Sequence, residues 1–186
     1  MELKNPILLF FCLVGLGACG NDGLLDIAKL AGQGESAVPE LIALLGDDNW
    51  KIRREAAFAL SRMGESAGTA RPALTTALGD AHVEVRYYAA AALGEIGEVS
   101  AVPELITSLK DESPIVRGSA AAALGKIAEP VEVIVAALIA ALDDEDETVG
   151  DKAVEALEKI GTPEALEAAE KYKDEHEGHG HDHGHD

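Results

Sequence analysis

Apolar and small residues along residues 37–161 follow one order that returns after 31 to 33 positions. The copies are aligned on Pro39, Pro72, Pro103 and Ala136, and their early columns are Leu41/Leu74/Leu105/Leu138, Leu45/Leu78/Leu109/Leu142, Asp47/Asp80/Asp111/Asp144 and Ile52/Val85/Val116/Val149. The later columns are Ala56/Ala89/Ala120/Ala153, Ala59/Ala92/Ala123/Ala156, Leu60/Leu93/Leu124/Leu157 and Met63/Ile96/Ile127/Ile160. Within a copy the apolar positions lie three or four residues apart, which is the period of an amphipathic helix. The pattern predicts four copies of one helical unit.

Residue types at the ends of the apolar stretches divide each copy into two helices. The prolines fall in the first turn of the first helix, where a missing N–H is tolerated. The column before the second helix contains Asn49, His82, Ser113 and Asp146, of which three are good N-cap residues. The closing column contains Gly64, Gly97, Ala128 and Gly161, and glycine readily adopts the left-handed conformation that ends a helix. Each copy is therefore predicted to be a helix, a tight turn and a second helix.

A single helix pair cannot bury its apolar face, so the copies must stack on one another. The sequence therefore predicts an all-α fold, a short α-solenoid of helical hairpins. The expected parts are a signal peptide at 1–18, an N-terminal capping half-repeat at 19–36 with a helix at Leu24–Ala31, four repeats at 37–161, a capping helix at 162–173 and a disordered tail at 174–186.

The units AVPELIALLGDDNWKIRREAAFALSRMG and AVPELITSLKDESPIVRGSAAAALGKIA resemble HEAT-like repeats, in particular the short form related to phycobilin lyase repeats. The resemblance spans about residues 37–161, and it implies a right-handed α-solenoid whose second helices line the concave face. The family also places Arg after the Ile/Val column, where Arg and Asp form a ladder between units; here these are Arg53, Arg86 and Arg117. The fourth unit has Gly150 at that position, so we interpret it as an end unit where the ladder stops.

Aromatic residues are scarce, and four of them collect on two adjacent second helices. Trp50, Arg54 and Phe58 are spaced i, i+4 and i+8, which places them in one stripe, and the next unit contributes Tyr87 and Tyr88. Aromatic residues and Arg are the usual binding hot spots. We expect a protein or peptide partner to bind this patch on the concave face. The alternative is that Trp50 and Phe58 pack beneath the N-terminal cap.

The N-terminus has the features of an export signal. Lys4 precedes an apolar run at 7–16, which is too short to span a bilayer comfortably. The end of the run, Leu16-Gly17-Ala18-Cys19, resembles the lipobox of bacterial lipoproteins, and this resemblance implies cleavage before Cys19 and lipidation of that residue. It also implies a chain held to a membrane of the bacterial cell envelope by its lipid anchor. The alternative is a simple cleaved signal in which Cys19 is incidental.

The C-terminal tail differs chemically from the rest of the chain. From Lys173 it reads KDEHEGHGHDHGHD, and it contains His176, His179, His181, His183 and His185. Alternating glycines disfavour a helix, and an extended backbone places every second imidazole on one side. Neutral imidazoles suit Zn²⁺, Ni²⁺ or Cu²⁺. The sequence predicts a transition-metal site here; the alternative is a flexible polar tail that binds metals adventitiously.

Charge and composition exclude several function classes. The net charge of −19 at pH 7 disfavours nucleic-acid binding, which needs Lys and Arg to replace phosphate counterions. The Arg column is expected to pair with Asp rather than bind phosphate, and the acidic run at 143–147 lacks the glycine and spacing of a calcium loop. Related HEAT-like proteins include phycobilin lyases and a di-iron hydroxylase with His-Glu pairs, but the matching segments here, 86–89 and 117–120, contain no such pairs.

These observations favour a non-enzymatic envelope lipoprotein that serves as a protein-interaction scaffold and requires no cofactor. The first alternative is a periplasmic or surface protein whose Zn²⁺- or Ni²⁺-binding tail is the functional part. A more distant alternative is an enzyme subunit of the phycobilin lyase type.

Overall fold

The computed structural model describes residue 27 and residues 29–177, and this part of the chain is helical without strands. The helices are α1 (Val38–Leu44), α2 (Trp50–Met63), α3 (Arg71–Ala77), α4 (Val83–Ile96), α5 (Val102–Ser108), α6 (Pro114–Ile127), α7 (Val131–Ala141), α8 (Glu147–Ile160) and α9 (Pro163–Glu177). Short 3₁₀ segments at Gly34–Ala37, Gly64–Ala70 and Val99–Ala101 precede α1, α3 and α5. The pairs α1/α2, α3/α4, α5/α6 and α7/α8 are the four predicted repeats, which confirms the all-α solenoid.

The core consists of the columns identified from the sequence. Leucines of the first and second helices are completely buried; they are Leu41, Leu74, Leu105 and Leu138 in the first layer and Leu60, Leu93, Leu124 and Leu157 in the second. Ile27 and Leu30 extend this core at the N-terminal side, and residues 29–31 are helical. The remainder of the predicted helix Leu24–Ala31 lies outside the described residues.

The second helices pack more closely than the first helices. Helices α2, α4, α6 and α8 pack side by side in chain order, and α9 closes the row against α8. A Cβ atom on Gly94 would lie 2.6 Å from the Ala123 Cα, and one on Gly125 would lie 2.7 Å from the Ala156 Cα. Closer spacing in one of two stacked layers curves the stack toward that layer, so the second helices form the concave face.

The column of small closing residues ends the second helices as predicted. Gly97 and Gly161 adopt the left-handed conformation, and Gly64 also has a positive φ. Ala128 occupies the same position in the third repeat with φ 56°. A side chain in this region costs roughly 1 kcal/mol, so the third repeat carries local backbone strain that the others avoid with glycine.

The predicted N-caps are only partly confirmed. Asn49 accepts a hydrogen bond from the Lys51 N–H and Asp146 accepts one from the Thr148 N–H, but the Ser113 hydroxyl makes no capping bond. Instead, an aspartate two residues earlier binds this position in every repeat. The carboxylates of Asp47, Asp80, Asp111 and Asp144 accept from the N–H of residues 49, 82, 113 and 146 at 2.8–2.9 Å. An aspartate at this fixed position thus shapes the turn in all four repeats.

The predicted ladder of Arg and Asp connects successive repeats. Arg53 donates through Nε and Nη2 to the Asp80 carboxylate at 2.6 and 2.8 Å, and Arg86 and Arg117 bind Asp111 and Asp144 in the same way. Each guanidinium also donates to the backbone carbonyl of its own turn. This two-pronged geometry is the strong form of an ion pair.

The ladder stops where the sequence indicated, and the structure shows what replaces it. At Gly150 there is no side chain, and the Tyr172 ring from α9 occupies the space; a Cβ on Gly150 would lie 2.3 Å from the Tyr172 hydroxyl. A side chain at position 150 would therefore require the Tyr172 ring to move from its observed position.

The C-terminal capping helix is longer than predicted. It continues through Glu177 rather than ending at residue 173, so the assignment of 174–177 to a disordered tail is wrong. No glycine occurs between Pro163 and Gly178, Lys171 pairs with Glu175, and the His176 ring stacks on Tyr172. These contacts extend the helix by one turn.

Candidate functional site

An aromatic strip crosses from the first repeat to the second on the concave side. The rings of Phe58 and Tyr88 meet edge to face with centroids 5.1 Å apart, and Tyr88 meets Tyr87 in the same manner at 4.9 Å. Phe58 is 37% exposed, although its neighbours Ala57 and Ala59 on the same helix are buried. Phe58, Tyr87 and Tyr88 are thus brought together as the sequence indicated.

A second aromatic cluster lies at the start of α2 and includes a residue that sequence reasoning missed. The Trp50 ring stacks on the His82 ring with centroids 4.7 Å apart. The cations of Arg54 and Lys51 lie 5.8 and 5.9 Å from the Trp50 ring centre. His82 is the residue of the N-cap column that is not a good N-cap, and its side chain makes no capping bond. In the repeat alignment His82 stands in the column next to that of Trp50, one repeat later, and this neighbouring position was the available sequence signal.

The two clusters bear on the alternative in which the aromatic rings pack beneath the N-terminal cap. Among the described residues, the ring contacts of Trp50 and Phe58 run to His82 and Tyr88 of the following repeat. The five predicted patch residues are all at least partly exposed on α2 and α4. Both rings therefore contribute to a surface between repeats.

A groove continues the aromatic strip across α4, α6 and α8. It has a volume of about 410 Å³, and its lining includes Tyr87 and Ala91 from α4, Ile115, Gly118 and Ala122 from α6, and Lys152 from α8. The groove exists because α6 has only small side chains at Gly118 and Ala122, between larger residues on its neighbours. Ile115 stands at its edge and is 53% exposed.

The concave face becomes acidic beyond the groove. The cleft between α8 and α9 is lined by Glu147, Asp151, Glu155 and Glu158 together with Tyr172, Lys173 and His176. Burial raises the pKa of the Tyr172 hydroxyl, and the negative charges of Asp151 and Glu147 raise it further. The inner surface thus changes from aromatic to acidic along the solenoid.

The three guanidinium groups of the Arg column, those of Arg53, Arg86 and Arg117, are all engaged by aspartates of the next repeat. The hydrogen bond from Arg117 lowers the pKa of Asp144 below its ordinary value, against the opposing effect of burial. The hydrogen bond to Asp144 likewise raises the pKa of the Arg117 guanidinium. The pairs are therefore charged at neutral pH and hold the repeats in register.

Of the five predicted metal ligands, His176 is the one that lies within the described residues. His176 lies on α9, and its Nδ1 is 2.8 Å from the Tyr172 carbonyl oxygen. His179, His181, His183 and His185 lie outside the described residues, as does Cys19. Within the described part of the chain, no group of three His, Cys, Asp or Glu side chains is arranged to hold a metal ion. No helix there has the length and apolar character needed to cross a membrane.

Comparison with known proteins identifies the repeats. HEAT repeats match residues 25–80 and 71–135, which together cover more than half of the chain. The chain belongs to the HEAT-repeat family. None of the curated proteins compared with this HEAT-repeat chain matches it.

Solved structures with the same architecture include both binding proteins and enzymes. A designed armadillo repeat protein in complex with the peptide (KR)4 is similar at 24% identity, over 80% of this chain and 79% of that one, with a TM-score of 0.59. The complex of CpcE and CpcF of phycocyanin lyase from Nostoc sp. is similar at 26% identity, over 75% and 88%, with a TM-score of 0.59. Human deoxyhypusine hydroxylase is similar at 34% identity over 66% of this chain, with a TM-score of 0.56, but this chain spans only 43% of the hydroxylase.

Proposed function

We propose that this HEAT-repeat protein is a non-enzymatic scaffold that binds a protein or peptide partner along its concave face. The observation that carries the proposal is the strip of contacting, partly exposed rings that runs from Phe58 through Tyr88 and Tyr87 into the groove beside Ile115. Contiguous exposed apolar surface is typical of interaction sites.

The chemistry of the strip suits peptide recognition. Aromatic rings bury a large area at low entropic cost, and Phe58 and Tyr87 are held by ring contacts before a partner arrives. The groove beyond them is concave and mostly apolar, with a few polar groups at its ends, as is typical of a pocket for an anchoring side chain. The designed armadillo protein that resembles this chain binds a peptide, which supports the same use of this solenoid.

Matched substitutions test the scaffold proposal. Ile115→Ser removes an apolar side chain at the groove, and Val133→Ser removes one of similar exposure, 51%, on α7 in the other layer. Crosslinking and affinity capture from native membranes should recover a partner with the wild-type chain and with Val133→Ser. Recovery should fall by about tenfold with Ile115→Ser or Phe58→Ala. Equal recovery by all four chains would contradict the proposal.

We further propose that the chain is a lipid-anchored protein of the bacterial envelope. The support is the lipobox-like segment that ends at Cys19. Metabolic labelling with an alkyne-bearing fatty acid should modify the wild-type chain and leave Cys19→Ser unlabelled. A label on Cys19→Ser would show that the lipid is attached elsewhere.

The second candidate function is metal capture by the tail, which the four histidines at 179, 181, 183 and 185 favour. Calorimetric titration with ZnCl₂ should show uptake by the full chain and none by a chain ending at Glu177, which keeps the whole of α9 and His176. Uptake should decline below about pH 6.5, where imidazoles protonate. Equal zinc uptake by the two chains would refute it.

A further inference from the structure

The groove across α4, α6 and α8 contains hydrogen-bond donors that the fold does not use up. An ammonium group has three N–H bonds. Within the described part of the chain, Lys126 engages one of them with Glu95, and Lys152 engages two with Glu155. Both lysines line the groove. Each therefore has an N–H group left for a molecule that binds there.

The floor of the groove is formed by residues whose backbone groups are already bonded. Ala91, Gly118 and Ala122 lie within α4 and α6, where N–H and C=O groups bond to one another along the helix. An ordinary extended peptide lying on this floor would bury backbone N–H groups without a backbone acceptor, which is unfavourable. A bound segment that has no N–H groups at these positions avoids this loss.

Partly exposed aromatic rings lead into the groove from the first two repeats. Phe58 contacts Tyr88, and Tyr88 contacts Tyr87, which itself lines the groove. Surfaces lined by aromatic rings bind proline-rich segments, because the rings pack against pyrrolidine rings and the polyproline II helix is formed before binding. The rings and the floor therefore favour the same class of partner.

We propose that the strip and the groove bind a proline-rich segment in the polyproline II conformation. The inference rests on the proposed scaffold function and specifies its partner. Proline lacks a backbone N–H but keeps its carbonyl, so such a segment brings acceptors for Lys126 and Lys152 and no donor that the floor would leave unpaired. An acidic partner would also bring acceptors, but the net charge of −19 opposes its approach. Uncharged carbonyl groups fit both the lysines and the overall charge.

A displayed library of random peptides is the probe, because no partner needs to be known in advance. Selection is carried out in parallel on the full wild-type chain, on Ala122→Leu and on Ala136→Leu. The first substitution fills the floor of the groove, whereas the second adds the same side chain to an exposed position of α7 in the other layer. Proline should be enriched with the wild type and Ala136→Leu, and the selected peptides should bind Ala122→Leu about tenfold more weakly.

Changes in the peptide test the role of the missing N–H without any change in the protein. In the tightest peptide each proline is replaced in turn by alanine, which restores an N–H, and by N-methylalanine, which does not. For the proline that lies on the floor, alanine should weaken binding to the wild type by about tenfold and N-methylalanine by less than about threefold.

The two lysines are tested with a charge-matched control. Lys126→Met/Lys152→Met keeps the apolar stems and removes the donors, and it should weaken binding of the same peptide by about tenfold. Lys110→Met/Lys171→Met removes the same charge from exposed positions outside the groove and should leave binding unchanged. Equal weakening by the two double variants would show that overall charge is responsible and would overturn the assignment of the donors.

Other outcomes overturn the inference in distinguishable ways. Selected peptides that bind the groove without proline would refute the proline-rich partner and leave the scaffold proposal intact, and selection of no peptides at all would contradict both. Enrichment of Asp or Glu in place of proline would show that the lysines serve an anionic partner. Equal weakening by alanine and N-methylalanine would refute the argument from the missing N–H, and undiminished binding to Ala122→Leu would show that proline binds elsewhere.

Discussion

Two glycines on the same helix should respond in opposite ways to the same substitution. Gly125 and Gly118 both lie within α6 and are buried, so replacement by Ala removes the same backbone entropy from the unfolded chain in each case. Their surroundings differ. A Cβ on Gly125 would lie 2.5 Å from the Ala156 Cβ and 2.7 Å from its Cα, whereas one on Gly118 would meet only the Lys152 Cγ at 3.5 Å.

The magnitudes follow from these contacts. Gly118→Ala should stabilise the protein by up to about 1 kcal/mol, the difference in helix propensity between the two residues. Gly125→Ala gains the same propensity but must push α6 away from the backbone of α8, and overpacking of this kind costs about 1–3 kcal/mol. Because the obstacle is a neighbouring helix rather than a flexible side chain, we expect an overpacking cost of about 2–3 kcal/mol, which leaves a net destabilisation of about 1–2 kcal/mol.

Urea denaturation followed by circular dichroism measures both effects on the full chain. The midpoint should rise for Gly118→Ala and fall for Gly125→Ala, with unchanged slope if cooperativity is retained. Gly94→Ala, whose Cβ would lie 2.6 Å from the Ala123 Cα, should behave like Gly125→Ala. Shifts of the same sign for Gly118→Ala and Gly125→Ala would refute the conclusion that Gly125 is needed for α6 to pack this closely against α8.

Three further predictions concern the ladder and a strained turn. Arg117→Leu should lower the free energy of unfolding by about 3–5 kcal/mol because it leaves Asp144 largely buried and unpaired. Arg71→Leu breaks an exposed pair with Glu98 and should lower the free energy of unfolding far less; urea unfolding compares the two variants. Arg117 lowers the pKa of Asp144, so this pair contributes fully above the ordinary value of 3.8 and less as pH falls below it, and the wild type should lose more stability than Asp144→Asn between about pH 5 and pH 3. Ala128→Gly should raise the thermal midpoint, since it relieves a positive φ worth roughly 1 kcal/mol; a lower midpoint would contradict this.

Features that recur in every repeat were predictable because each copy repeats the same local and neighbouring contacts. The leucine columns follow from residues at fixed offsets, the Arg-Asp ladder and its end at Gly150 were expected from the resemblance to HEAT-like repeats, and the structure places both as expected. The capping prediction was less successful because propensity favours Ser113, while the aspartate two residues earlier binds the N–H that defines the turn. The tail boundary was placed too early because the whole segment from Lys173 was treated as rich in glycine, although the first glycine of that segment is Gly178.

The aromatic patch was half predictable. Spacing alone placed Trp50, Arg54 and Phe58 on one stripe, but it did not show that Trp50 would stack on His82 or that Phe58 would meet Tyr88. Those contacts depend on the rotation of one repeat relative to the next. That rotation is set by how closely the small residues let the helices approach.

The sequence by itself determined the helical pairs, their order, the core columns and the ladder, because periodicity and paired charges act between copies of the same unit. Only the tertiary structure decided that small side chains on α6 leave a groove and that Tyr172 fills the space above Gly150. These features join residues with no common period, so they exist only once the helices have been brought to their packing distances.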